Sequence, residues 1–195
     1  PMDIEMLFST LPGVVLVKEV AGTGVYLPDW NINTIGAVIP GSAYFVLTSQ
    51  AGIISFDLGS NKAGTIYEPA SVVSSPWNAV EQTPGSHVVV FSLSDHAVQQ
   101  GDVIGGFTAD GHCAGAVAVN GDSFALTLNP DAPFDADISG FEAGEQIVLK
   151  LYREASGEVF ELEAEYTERF DQQYFVGNGL SEVTGLKASS TGTID

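Results

Sequence analysis

The sequence predicts an all-β protein: two packed antiparallel β-sandwich-like parts with one short N-terminal helix. Three observations predict it. Apolar residues recur with a period of two over most of the chain, turn residues interrupt that alternation roughly every 8 to 12 residues, and helix-type spacing is confined to the opening segment. With 195 residues, 45% of them hydrophobic, the chain can bury a sizeable core without disulfide or metal staples.

The helix is expected where Asp3, an N-capping residue, precedes Ile4-Glu5-Met6-Leu7-Phe8, and it should stop at Leu11-Pro12-Gly13. It is the only helix the pattern calls for. A first hairpin is expected to run from Ala43 to Thr48 and turn at Ser49-Gln50-Ala51-Gly52, which sets Leu47 against Ile54 and Phe45 against Phe56. A three-residue turn, Ala109-Asp110-Gly111, then sets Phe107 against Cys113 and Val103 against Val117. The Asn120-Gly121 turn that follows predicts Val117 opposite Phe124 and Cys113 opposite Leu128, with Cys113 on the core face. A last hairpin, turning at Glu154-Ala155-Ser156-Gly157, places Leu151 against Phe160, Leu149 against Leu162, Arg153 against Glu158 and Lys150 against Glu161.

The Pro-bounded stretch Glu68 to Pro76 reads as a linker or crossover. The expected organisation is an N-terminal β module with the helix over 1–72, a C-terminal β-sandwich module over 73–186 and a linker-like tail over 187–195. Asn129 to Gly140, with Pro130 and Pro133, is expected to be a long loop. A chain that begins Pro1-Met2-Asp3 is expected to be processed, trimmed or a fragment.

The acidity comes from a scarcity of bases. There are 25 Asp and Glu against 6 Lys and Arg, a net charge of -19, although only 16% of the chain is charged. Such a surface repels phosphate backbones and anionic lipid, so nucleic acid and membrane insertion are excluded as partners, and no apolar run approaches the ~20 residues of a span. The single cysteine, Cys113, excludes an internal disulfide framework.

The sequence offers little catalytic chemistry. No Gly-x-Ser-x-Gly elbow occurs, and His87, His96 and His112 do not stand at zinc-ligand spacings. Cys113 follows His112 directly and so points to the other face of its strand. Gly101 to Phe107 is glycine-rich, but no helix follows to make it a phosphate loop; close sheet packing explains the glycines better. Glu161, Glu163 and Glu165 alternate with Leu162 and Ala164, the pattern of a solvated strand face. No catalytic residue and no cofactor is expected. Asp102, Asp110, Asp131, Asp135 and Asp137 lie at turns or in the long loop, where oxygen ligands for calcium would sit, although their spacing matches no calcium loop. Tyr26, Trp30, Trp77 and Tyr174 stand beside turn residues and are candidates for stacking on a sugar face or for corner packing; Trp30, Tyr26 and Trp77 are the binding candidates carried forward.

Two blocks carry a resemblance. Val25-Tyr26-Leu27-Pro28, Asn31-Ile32-Asn33-Thr34-Ile35-Gly36 and Pro40-Gly41-Ser42-Ala43-Tyr44 form the first. Trp77-Asn78, Thr83-x-x-Ser86-His87, Gly101-Asp102-x-Ile104-Gly105-x-Phe107 and Gly111-x-Cys113-x-Gly115 form the second. In order and spacing they resemble a β-rich module of Bacteroidota secreted and cell-surface proteins of the type IX secretion kind, in the region preceding the sorting domain. The family pattern normally begins with an additional strand before the helix, which this sequence lacks. The resemblance implies an extracellular or surface-attached, non-catalytic module that works by contact with copies of itself or other surface proteins. The missing strand raises the expectation of polymer formation by strand addition. The alternative is a carbohydrate-binding module for polysaccharide, with calcium in support.

Overall fold

A computed structural model of the chain describes residues 1–54, 75–78, 83–93, 98–132 and 139–190. The chain divides into two compact units, Pro1–Ser71 and Val72–Asp195. The all-β reading holds: among the described residues there are one short α-helix, one 3-10 turn and otherwise strands with their connections.

In the first unit β1 (Met2–Asp3) leads into α1 (Ile4–Phe8), and the Asp3 carboxylate accepts the Met6 N–H at 2.9 Å as an N-cap. Ile4, Leu7 and Phe8 are the buried residues of α1 and pack with Leu11, Val14, Val17 and Ile35. The strands that follow are β2 (Val14–Glu19), β3 (Val25–Leu27), β4 (Ile32–Asn33), β5 (Ala37–Val38) and β6 (Tyr44–Thr48). β1 pairs with β5, and the other four form a sheet in the order β4-β3-β2-β6. Pro28–Trp30 forms a 3-10 turn that sequence spacing does not predict. Proline starts it, and Asn31 ends it in the left-handed region (φ 54°), donating its N–H to the Pro28 carbonyl at 3.1 Å.

The first expected hairpin is tested only in part, and its Leu47–Ile54 pair is not formed. β6 pairs with β2, which places Leu47 opposite Leu16 and Phe45 opposite Lys18. Residues 51–54 form no strand, and Phe56 lies outside the described residues. The alternation of Phe45 and Leu47 fits any apolar neighbour, and Val14-Val15-Leu16-Val17, buried along its whole length, is the stronger one.

In the second unit the strands are β7 (His87–Ser92), β8 (Val103–Phe107), β9 (Cys113–Ala118), β10 (Ser123–Leu128), β11 (Val148–Arg153), β12 (Glu158–Tyr166) and β13 (Leu180–Ser190). They follow one another in the order β10-β7-β13-β12-β11-β8-β9. β13 joins two parts of this sheet: Leu180 to Val183 run parallel to β7, and Val183 to Ser190 run antiparallel to β12 past a bulge at Glu165/Tyr166. The core draws Val89, Phe91, Ile104, Leu126, Leu149, Leu151, Leu162 and Val183 from six of these strands, β10 among them. The expected tail is corrected as well. Lys187 to Ser190 are strand, paired with Glu163 to Phe160, because Leu186 and the alternation before it carry the ladder onward; 191–195 lie outside the described residues.

The β11–β12 hairpin has the expected register throughout, with Leu149 opposite Leu162, Leu151 opposite Phe160, Lys150 opposite Glu161 and Arg153 opposite Glu158. β8 and β9 start as expected with Phe107 opposite Cys113. A bulge between Gly106 and Phe107 then shifts the rest by one residue, so that Val117 faces Ile104 and Val103 faces Ala118. The β9–β10 hairpin is overturned. β10 ladders with β7, placing Phe124 opposite Phe91 and Leu128 opposite His87. Its contact with β9 is instead a close approach at the far end, where the Asn129 backbone and side-chain N–H groups both donate to the Ala114 carbonyl at 3.0 Å. Gly106 and Gly115, opposite each other on β8 and β9, make the approach possible. A Cβ on Gly115 would collide with the Thr127 carbonyl oxygen, and one on Gly106 with the Leu128 side chain.

Lys18 is 2% exposed on β2, between Val25 and Phe45 on the flanking strands, with its ammonium 5.6 Å from the Phe45 ring centre. Burial pulls its pKa from 10.5 down to about 8. The unfolded chain therefore holds one more proton than the folded one between those values, and stability should rise as pH rises through that window. Buried Tyr166, whose phenol is pushed up by burial, acts in the opposite direction once unfolded tyrosines ionise, so the effect is read between pH 8 and about 9.5. Urea midpoints should climb over that interval, and Lys18→Met should remove the climb.

Candidate functional site

The residues with acid–base or nucleophilic chemistry gather mainly in the second unit, and the best-defined group surrounds His87. β7 carries the ring into the interior, where His87 and Ser181 of β13 are both 0% exposed. The Val176 N–H meets His87 Nδ1 at 3.1 Å, and Nε2 lies 2.9 Å from Ser181 Oγ, which donates in turn to the Gln172 carbonyl. The Val176 carbonyl is also 3.1 Å from Nδ1, so both backbone polar groups of Val176 face this nitrogen. Asp171 is close by and its carboxylate accepts the Leu180 N–H at 2.9 Å. Gly179 makes room for the group, since its Cβ would stand 2.6 Å from His87 Nδ1 and 2.7 Å from the Asp171 carboxylate.

Serine, histidine and aspartate thus share one locality, but their roles differ from those of a hydrolytic triad. A triad needs Nδ1–H donating to the carboxylate and a serine reachable by substrate. Here Nδ1 meets the backbone of Val176, the serine hydroxyl is committed to a carbonyl, and both side chains are sealed. What the group does is tie the segment 171–181 to β7. Sequence reading missed Ser181 and Asp171 because nothing local marks them; Gly179-Leu180-Ser181 lacks the second glycine of an elbow, and its partner lies far upstream on another strand.

Asp102 is also spent on structure. It is buried, accepts the Gln99 N–H at 2.9 Å and pairs with Arg153 at 3.4 Å, while the Arg153 guanidinium lies 5.2 Å over the Phe160 ring. The strand register puts Arg153 opposite Glu158 as expected, but its side chain reaches across to the start of β8. Likewise the Lys150 ammonium stands 4.8 Å over the Phe107 ring. Cys113 is buried with its Sγ 3.4 Å from the Gly115 carbonyl, and burial pushes the thiol pKa up; the adjacent His112 is exposed.

Among the described residues the calcium candidates are not brought together. Asp110 and Asp131 are exposed in separate loops, Asp102 is ion-paired, and Asp135 and Asp137 lie outside the described residues. Among the described residues no group of three or more His, Cys, Asp or Glu is placed to hold a metal ion.

The aromatic candidates fall in both units, and two of them pack. Trp77 lies on the face of β8 and β11 away from the core, edge-on to Phe107 with ring centres 5.1 Å apart and to Tyr152 at 6.2 Å. A Cβ on Gly105 would sit 2.8 Å from the indole, so this glycine exists to receive the ring. Tyr26 leans on Phe8 at 6.4 Å, and burial, Glu5 and Asp3 together push its phenol up. Trp30 is half-buried on the 3-10 turn. Tyr174, 45% exposed, forms an isolated bridge with Gln146. On β12, Glu161, Glu163 and Glu165 are exposed along one face, as their alternation predicts.

No protein-family model, curated protein or solved structure matches the chain. Among the described residues no helix is long and apolar enough to cross a membrane.

If Trp77 is a packing residue, Trp77→Ala should destabilise the protein by about 2–4 kcal/mol in thermal or urea unfolding. Added glycan should leave the wild-type midpoint unchanged.

Proposed function

We propose that the chain is a non-catalytic structural or adhesive module of the secreted or cell-surface kind, acting through contacts with copies of itself or with other surface proteins. One observation carries this reading. The described groups with the most reactive chemistry, His87, Ser181, Asp102, Arg153 and Cys113, are engaged in holding the framework, while the exposed face of β12 presents carboxylates. The ordered Gly, Pro and aromatic positions shared with type IX secreted modules support the location, and two of them now have a packing reason in Gly105 and Trp77.

Assembly by strand addition belongs to the same proposal. Among the described residues β6 has one ladder partner, β2, and its other side is where an added strand would pair. Light scattering and electron microscopy of the purified chain should show polymers or fibres. A monodisperse monomer at every concentration would remove strand addition from the proposal.

The second reading, a carbohydrate-binding module with calcium in support, rests on Trp30, which stands half-buried on a turn fixed by Pro28 and left-handed Asn31. Glycan-array binding that disappears in Trp30→Ala, with an unchanged circular dichroism spectrum, would favour it. Absence of binding by the wild-type chain would count against it.

A further inference from the structure

We propose that Asn120 is a site of non-enzymatic modification, at which the carboxamide closes onto the Gly121 nitrogen and is converted to aspartate and isoaspartate. Asn178, the other asparagine followed by glycine, is kept from the same reaction by the fold. This inference goes beyond the functional reading above and does not depend on it.

The reaction needs a reachable carboxamide carbon, a following amide nitrogen free to lose its proton, and room for a five-membered ring. Solvent hydroxide removes the Gly121 N–H proton, and the nitrogen attacks Asn120 Cγ. The new N–Cγ bond forms as the Cγ–Nδ2 bond breaks, and Nδ2 leaves as ammonia with a proton taken from water. Water then adds to one of the two ring carbonyls. Opening at Cγ gives aspartate, and opening at the main-chain carbonyl of residue 120 gives isoaspartate, in which the chain runs through the side-chain carbon. Nothing is oxidised or reduced, and water is the only co-reactant.

The turn between β9 and β10 meets all three needs. Asn120 and Gly121 are exposed, and among the described residues neither the Asn120 carboxamide nor the Gly121 N–H makes a hydrogen bond. Gly121 stands at φ 83° with nothing within 4 Å of where a Cβ would be, so no neighbour blocks the ring or the water that opens it. The ends of the turn are held instead. The Val119 N–H donates to the Asp102 carbonyl at 2.7 Å, and the Leu93 N–H donates to the Asp122 carbonyl at 3.0 Å. The tip can therefore take up the extra main-chain methylene of isoaspartate while β9 and β10 keep their places.

Asn178-Gly179 has the same pair of residues and a smaller residue before it, Gly177 in place of β-branched Val119, so sequence alone makes it the more reactive of the two. Asn178 is exposed as well, and the difference lies in the nucleophile. Gly179 is buried, its N–H donates to the Val176 carbonyl at 2.8 Å, and the Asn178 N–H beside it donates to the Gly85 carbonyl at 3.0 Å. Two oxygens crowd the same glycine: the Val176 carbonyl and an Asp171 carboxylate oxygen each stand 2.7 Å from the point a Cβ would occupy. Both oppose the negative charge that would form on the nitrogen, and the hydrogen bond must break before the ring can close.

Peptide mapping by mass spectrometry of the full chain, incubated folded in a weakly alkaline buffer, tests this. Asn120 should gain about 1 Da and separate into aspartyl and isoaspartyl forms. The rate at Asn120 should exceed that at Asn178 about tenfold or more, because Asn178 reacts only after the bonds at Gly179 break. In the same buffer with urea the order should level or reverse, since the two sites then differ only in the residue before them. An Asn120 that stays unmodified in the folded chain while it reacts in urea overturns the proposal. So does an Asn178 that keeps pace with Asn120 in the folded chain. A folded-chain ratio that persists unchanged in urea overturns it too, because the difference would then belong to the sequence and not to the fold.

Discussion

The larger unit depends on β10 lying against a strip of sheet that carries no side chains. Gly106 and Gly115 stand opposite each other on β8 and β9, and Thr127 and Leu128 occupy the space that two Cβ atoms would fill. Because that approach is available, β10 can leave β9 after the turn at Asn120-Gly121 and ladder with β7, where Phe91 and Phe124 stack at 4.8 Å. The sheet order β10-β7-β13-β12-β11-β8-β9 then brings its two outer strands together at Ala114 and Asn129, and the apolar residues of all seven strands enclose one core. A side chain at either glycine would push β10 outward and open that core, at a cost set by the packing lost.

Closure also determines what polar chemistry is left over. β13 must run beside β7 before it turns onto β12, and this parallel stretch places Ser181 against His87. Asp102 opens β8 and Arg153 closes β11 at the same edge, so their ion pair locks the strand ends rather than facing a cleft. A buried donor or acceptor without a partner costs about 1–3 kcal/mol, and these pairings meet that demand for Ser181 Oγ, His87 Nε2 and the Asp102 carboxylate. The face directed outward at β12 carries carboxylates, consistent with a chain of net charge -19. Lys18 shows the same economy in the smaller unit, where the ammonium sits against the Phe45 ring.

Much of this architecture was legible in the residues themselves. Alternation with cross-strand charge pairs defined the β11–β12 register completely, because a slip of one residue would bring every Leu to the wrong face. The N-cap at Asp3 and the solvated glutamates of β12 were equally plain. What escaped was every choice among equally apolar partners. β6 took β2 and β10 took β7, and alternation is blind to such alternatives since each satisfies the same inside-outside pattern. The bulge at Gly106/Phe107 escaped for a related reason, as a glycine marks a permissive site without stating that it is used. In the candidate site His87 was noticed, but Ser181 and Asp171 became its neighbours only through the parallel pairing of β13 with β7, a contact between distant segments that no local motif announces.

The central structural claim is that β10 crosses to β7 over the glycine strip. Nuclear Overhauser contacts in the isotope-labelled chain test it most directly. The account predicts cross-strand contacts from Phe124 to Phe91 and from the Leu128 methyls to the Gly106 α-protons. A ladder of α-proton contacts joining Val117 to Phe124 and Cys113 to Leu128, the simple hairpin that the Asn-Gly turn invites, would contradict it.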